Sequence, residues 1–149
     1  MSFVIVKKEL INRLSANITR LQEVYGYEVT TPNGWPIATI VRSDNENDFN
    51  TNTENMRTFA FRLTLREQLG QENNLSSIDD TVKERAERIL DALTDEVIDY
   101  FDDRDNITLG GVIDFLEPIP SSGIYLQTPN GWERGAVIII KAHKIKDIT

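Results

Sequence analysis

Eleven residues, 56–66, read "MRTFAFRLTLR" and alternate from Thr58 onward, with Arg57 on the apolar parity. Phe59, Phe61, Leu63 and Leu65 share one parity; Thr58, Ala60, Arg62, Thr64 and Arg66 share the other. Successive side chains of a strand point to opposite faces, so this is a strand with an apolar core side and a wet side. A strand of that kind needs other strands at its edges and an apolar layer over one face. The remaining apolar patterns must supply both.

Two stretches have helical rhythm. Between residues 3 and 25, Phe3, Val6, Leu10, Leu14, Ile18, Leu21 and Tyr25 recur every three or four positions. That spacing predicts an amphipathic helix, with Ser2 as its cap and Gly26 as its end. The β-branched opening "FVIV" leaves a short strand as the alternative. From about Ile78 to Phe101, Ile78, Val82, Ala86, Ile89, Leu93 and Val97 keep the same step. Ser76 or Ser77 is the expected cap, and Asp79 and Asp80 suit the positive end of the helix dipole. Asp99, Asp102, Asp103 and Asp105 crowd the other end, where the dipole disfavours them.

Further strands are expected at 35–42 ("WPIATIVR"), at "VIDFLEPIP" with Pro118 and Pro120 as its stop, at 124–127 and at 132–145. The run "AVIII" in the last suggests a central strand covered on both faces. The Gly110-Gly111 pair is expected to stop a helix. The resulting class is α+β: a mostly antiparallel sheet with two main helices packed on one face, in one domain over residues 1–149.

"TPNGW" occurs twice, as Thr31–Trp35 and Thr128–Trp132, and holds both tryptophans of the chain. Pro presets φ, Asn tolerates the next position, and Gly takes the positive φ that closes a turn. Each copy is therefore expected to turn a hairpin and to set Trp35 or Trp132 at the start of a strand. A paired surface motif is the alternative. The flanks, "GYEVT" against "IYLQ" and "PIAT" against "ERGA", do not match, which argues against a duplicated domain.

The chemistry-bearing residues are sparse. There is no cysteine and one histidine, His143, so thiolate chemistry and a histidine metal cluster are excluded. No phosphate loop or nucleophile-elbow motif occurs. No catalytic, cofactor-binding or metal-binding residue is assigned, and no enzyme activity is expected. A net charge of −8 speaks against binding DNA by neutralising phosphates, though not against a surface past which DNA moves. No apolar run approaches the ~20 residues of a membrane span, and the N-terminal stretch lacks the order of a signal peptide, so a soluble cytoplasmic product is expected.

Interaction surfaces remain. Glu87, Asp91, Asp95, Asp99 and Asp103 fall four apart and form an acidic stripe on the second helix, either a solvated face or a docking face for a basic partner. Residues 43–55, "SDNENDFNTNTEN", are too polar to pack and read as a loop or hairpin tip. Phe49, beside Asp48 and Glu46, is there either a candidate anchor for a partner or a side chain that tucks back onto its own domain. Arg57, Arg62 and Arg66 are candidates for pairing with an acidic neighbouring subunit; simple solvation of an exposed strand face is the alternative.

The order of these segments resembles the tail terminator family of long-tailed bacteriophages, the group that includes the lambda tail terminator. The resemblance rests on the strand opening "WPIATI" at Pro36, the polar loop feeding "RTFAFRLTL" through Arg57-Thr58-Phe59, the helix "RAERILDALTDEVID", then "LGGVIDFLEPIP" and "RGAVIIIKAHKI". It covers nearly the whole chain. The TPNGW copies and residues 70–77 are not part of the pattern. The resemblance implies a non-enzymatic virion protein of the tail and neck, assembled in the host cytoplasm. It implies a homohexameric ring that caps the head-proximal end of the tail tube, stops polymerisation and joins the tube to the head–tail connector. DNA would pass through the lumen without specific binding. Another neck component, such as a head-completion or connector protein, or a tail-tube subunit, is the nearest alternative. A small acidic binding module that occupies a partner's basic surface is a further one.

Overall fold

The computed structural model describes residues 3–43, 56–104, 106–129 and 131–145. The chain forms α1 (Phe3–Asn17), β1 (Glu23–Tyr25), β2 (Ile37–Arg42), β3 (Met56–Gly70), α2 (Asp80–Asp102), β4 (Phe115–Thr128) and β5 (Gly131–Ile145). A short 3-10 helix, Leu75–Ser77, precedes α2. The sheet order is β1-β2-β3-β5-β4. β1 and β2 run parallel, and the other three pairs are antiparallel. The architecture is α+β, a mostly antiparallel sheet with two helices on one face.

The alternation in β3 builds that architecture. Phe59, Phe61, Leu63 and Leu65 are fully buried against Val6, Leu10 and Leu14 of α1 and Leu90, Leu93, Val97 and Phe101 of α2. Ile138, Ile140 and Ala142 of β5 join them, as do Ala38 and Ile40 of β2. Burial of each such side chain stabilises the fold by roughly 1.5–3 kcal/mol, which makes this layer the main driving term. β5 lies between β3 and β4, and residues 137–140 are all buried, as "AVIII" required.

The opposite parity of β3 differs from the expectation of a wet face. Only Arg62 is exposed; Thr58, Ala60, Thr64 and Arg66 are buried. Thr58 is bonded to His143, Thr64 lies between Thr39 and Val137 in register, and Arg66 is held by Val29 and Glu133. Alternation reports which side is apolar. It does not report that connecting segments cover the other side.

Several boundaries also move. α1 ends at Asn17, whose side chain bonds back to the Arg13 carbonyl at 2.8 Å, and residues 23–25 form β1. Ile18 and Leu21 keep the helical spacing because they still point into the core, so the spacing outlives the helix. The cap of α2 is Asp79 rather than a serine: its carboxylate accepts from the Thr81 N–H at 2.9 Å, and this bond lowers its pKa. α2 ends at Asp102, well before Gly110 and Gly111. Those glycines, with Leu109, take positive φ in the turn that leads to β4, and Leu109 is held there by complete burial.

Pro118 and Pro120 do not stop their strand. β4 runs through both, with a bulge between Pro120 and Gly123, and merges the two strands expected on either side. β4 is an edge strand, and both prolines have the same parity, so both missing N–H groups fall on its outer side.

The two TPNGW copies diverge. The second is the hairpin turn between β4 and β5: Thr128 pairs with Gly131, which has φ +106°. The first lies between β1 and β2, which are parallel, so it cannot be a hairpin. It contains a cis Trp35–Pro36 bond, and Gly34 is not in the left-handed region. The same five-residue sequence thus makes two different connections, set by the strands it joins.

Alanine at the two glycines should separate these roles. A Cβ on Gly131 would lie 2.2 Å from the Gly70 carbonyl oxygen at a positive φ, so Gly131→Ala is expected to cost about 1–3 kcal/mol. A Cβ on Gly34 would meet only the flexible Gln22 side chain at 3.3 Å, so Gly34→Ala should stay within about 0.5 kcal/mol of the parent. Chemical denaturation of both variants measures this.

Candidate functional site

The most constrained polar group of the molecule is the pair Arg66–Glu133. Arg66 is 4% exposed and Glu133 0%. Arg66 Nε donates to Glu133 Oε1 at 2.6 Å and its second terminal nitrogen to Oε2 at 3.0 Å, the two-pronged geometry that a guanidinium matches best. The remaining nitrogen donates to the Val29 carbonyl at 3.1 Å. Thr128 Oγ1 lies 3.0 Å from Glu133 Oε2, and the Trp35 ring lies 5.7 Å from the guanidinium carbon. Both TPNGW copies therefore converge here, the first through Trp35 and the second through Thr128. A cavity of about 210 Å³ beside the pair is lined by Glu28, Val29, Thr30, Leu126 and Pro129.

A second chain of polar contacts crosses the far end of the same face. Thr58 Oγ1 lies 2.8 Å from His143 Nδ1, and His143 Nε2 lies 2.6 Å from Glu117 Oε1. The imidazole stacks on Phe115, 4.4 Å between centroids. A hydroxyl, an imidazole and a carboxylate in series can relay a proton. Here Thr58 is buried in extended backbone near the start of β3, and the chain of contacts ties β3, β5 and β4 together. The buried contacts of His143 depend on β4 pairing with β5 in this register, which no local pattern announces.

The other sequence candidates separate. Arg66 is enclosed by its own chain, so it is not a surface cation. Arg57 is exposed, with its guanidinium 4.8 Å over the Phe59 ring, on the helix side of the sheet. Arg62 is exposed on the opposite side, between Val41 and Ile139 in register. Trp35 and Trp132 lie on opposite faces: Trp132 packs with Leu69, Ile78 and Ala86 beneath the start of α2. Glu46, Asp48 and Phe49 fall outside the described residues, as does the rest of 44–55.

The acidic stripe divides. Glu87 turns toward the sheet, paired with Arg134 at 2.6 Å and accepting from the Tyr125 hydroxyl at 3.1 Å. That hydroxyl's pKa is raised, first by burial and then by the Glu87 bond. Asp91, Asp95 and Asp99 are exposed, and no ion pair among the described residues reaches them. Asp103 follows the helix as its C-terminal cap. Among the described residues no three acidic or histidine side chains gather to share a metal ion, and no helix is long and apolar enough to cross a membrane.

An apolar groove flanks α1. It holds about 340 Å³ and is lined by Phe3, Val4, Ile11 and Phe61, with Lys7, Lys8 and Arg42 at its rim. No sequence pattern marked it, because its apolar floor comes from both α1 and β3.

No protein-family model matches the chain, and no curated protein matches its sequence significantly.

Removing one member of the buried pair leaves an uncompensated charge. Arg66→Met is expected to destabilise the fold by about 3–5 kcal/mol. The double variant Arg66→Met with Glu133→Leu should recover most of that loss, because no lone charge remains. Denaturant midpoints of the single and double variants make the comparison.

Proposed function

We propose that this chain is a structural tail terminator: a homohexameric ring that caps the head-proximal end of a phage tail tube, stops tube growth and joins the tube to the head–tail connector. DNA passes through its lumen without specific contacts. The reading is carried by the sequence pattern that begins at Pro36, passes through Arg57-Thr58-Phe59 and the helix "RAERILDALTDEVID", and ends in the last strand. That pattern runs once through the chain and falls on one continuous sheet with its two helices.

The charge distribution supports the same reading. A ring that lets DNA slide should not hold phosphates, and a chain of net charge −8 with exposed Asp91, Asp95 and Asp99 lacks the basic footprint that would hold them. Exposed Arg62, on the side of the sheet away from the helices, is placed to meet a neighbouring subunit or the tube.

Electron microscopy and native mass measurement of the purified chain test the assignment. Closed single rings of six copies are expected, with no further stacking. Long tubes would make it a tube subunit, and a stable monomer that competes with DNA for a basic partner would make it an acidic binding module.

A further inference from the structure

The groove along α1 is a local inversion of the molecule's charge. The chain has 24 acidic and 16 basic residues, yet among the described residues three cations and no acid line this groove. Its floor is aromatic: Phe3 meets Phe59 and Phe61 edge-on, with centroids 4.9 and 5.7 Å apart. Arg42 lies 4.4 Å over the Phe3 ring. Lys7 donates to the Gly26 carbonyl at 2.9 Å, which holds its aliphatic stem along the wall. Val4 is 76% exposed at the lip.

A concave apolar site with a cationic rim selects a large apolar side chain flanked by carboxylates. The chain's own sequence contains such a segment. Residues 44–55 carry Asp44, Glu46, Asp48 and Glu54, no lysine or arginine, and one large apolar residue, Phe49. The segment's charge is complementary to the rim, and its one aromatic side chain suits the apolar floor. We propose that the α1 groove is a docking site for segment 44–55 of a second copy of the chain, with Phe49 in the apolar floor and its flanking acids against Lys8 and Arg42. This assigns a contact between copies and rests on the ring reading. The contact is heterologous, groove to segment, so each copy offers both halves and successive copies join head to tail.

Complementation between two broken halves tests it. Lys8→Glu with Arg42→Glu reverses two of the three rim charges, at exposed positions, and leaves the segment intact. Phe49→Ala removes the anchor and leaves the groove intact. Each variant alone should self-associate at least about tenfold more weakly than the parent, as loss of a central anchor does. Mixing the two should restore pairs containing one copy of each, and nothing larger, by native mass spectrometry. Circular dichroism melts check that both variants fold. If Lys8→Glu with Arg42→Glu does not fold, Lys8→Gln alone and the loss of parent association with added salt read the same contact.

Variants that assemble like the parent would overturn the proposal. So would a mixture in which the two halves ignore each other, the result expected if the segment sits in its own chain's groove. Groove-dependent binding to anionic vesicles with unaltered self-association would also overturn it. A parent chain that forms open chains or pairs through this groove, but never closed six-membered rings, would overturn the ring reading and leave the docking site standing.

Discussion

The arrangement of this fold turns on one buried ion pair. Arg66 and Glu133 sit on the same face of neighbouring antiparallel strands, and Arg66 is paired in register with Gly135, two residues from Glu133. The absence of a side chain at Gly135 leaves room between Thr64 and Ile124. A slip of one residue would carry Glu133 to the helix side and strand both charges without partners. Taking two charges out of water is costly, and a well-packed apolar pair could replace them at little loss of stability. What the pair supplies is selection: it admits one register of β3 on β5 and one path for residues 29–35 across the end of the sheet.

That selection explains what the sequence could and could not reveal. The alternation at Phe59, Phe61, Leu63 and Leu65 and the rhythm of Ala86, Leu93 and Val97 are local consequences of burial, and both elements were legible. Ile18 and Leu21 misled because an irregular segment can bury residues at helical spacing. Pro118 and Pro120 misled because a proline forbids a strand only where its missing N–H should face a neighbour, and edge position is a property of the whole sheet. Thr31–Trp35 misled most plainly. Its turn chemistry was sound, but whether the next strand runs parallel or antiparallel is not written in five residues. The surface candidates were legible in part: the acids at 91, 95 and 99 are exposed, whereas Arg66 is internal because Glu133 lies 67 positions away in sequence.

Charge is sorted across the molecule rather than spread over it. Acids accumulate on the outer side of α2, while Lys7, Lys8 and Arg42 gather beside α1. The helices lie on the same face of the sheet, joined where Arg20 meets Glu96 at 3.1 Å and Asn17 meets the Tyr100 hydroxyl at 3.2 Å. Copies of a molecule polarised in this way repel in some orientations and attract in others. At long range that favours ordered encounters over random ones.

The prolines of β4 bear on how such a protein behaves before it meets any partner. At Pro118 and Pro120 the outer rim of the sheet has no hydrogen to donate, and the bulge beyond them bends the strand out of line. A second strand laid along that rim would find gaps where a ladder needs rungs. Copies that meet along this rim are thereby kept from fusing backbone to backbone into fibres. A contact made along β4 must therefore be written in side chains, which salt, stoichiometry and a single substitution can still undo.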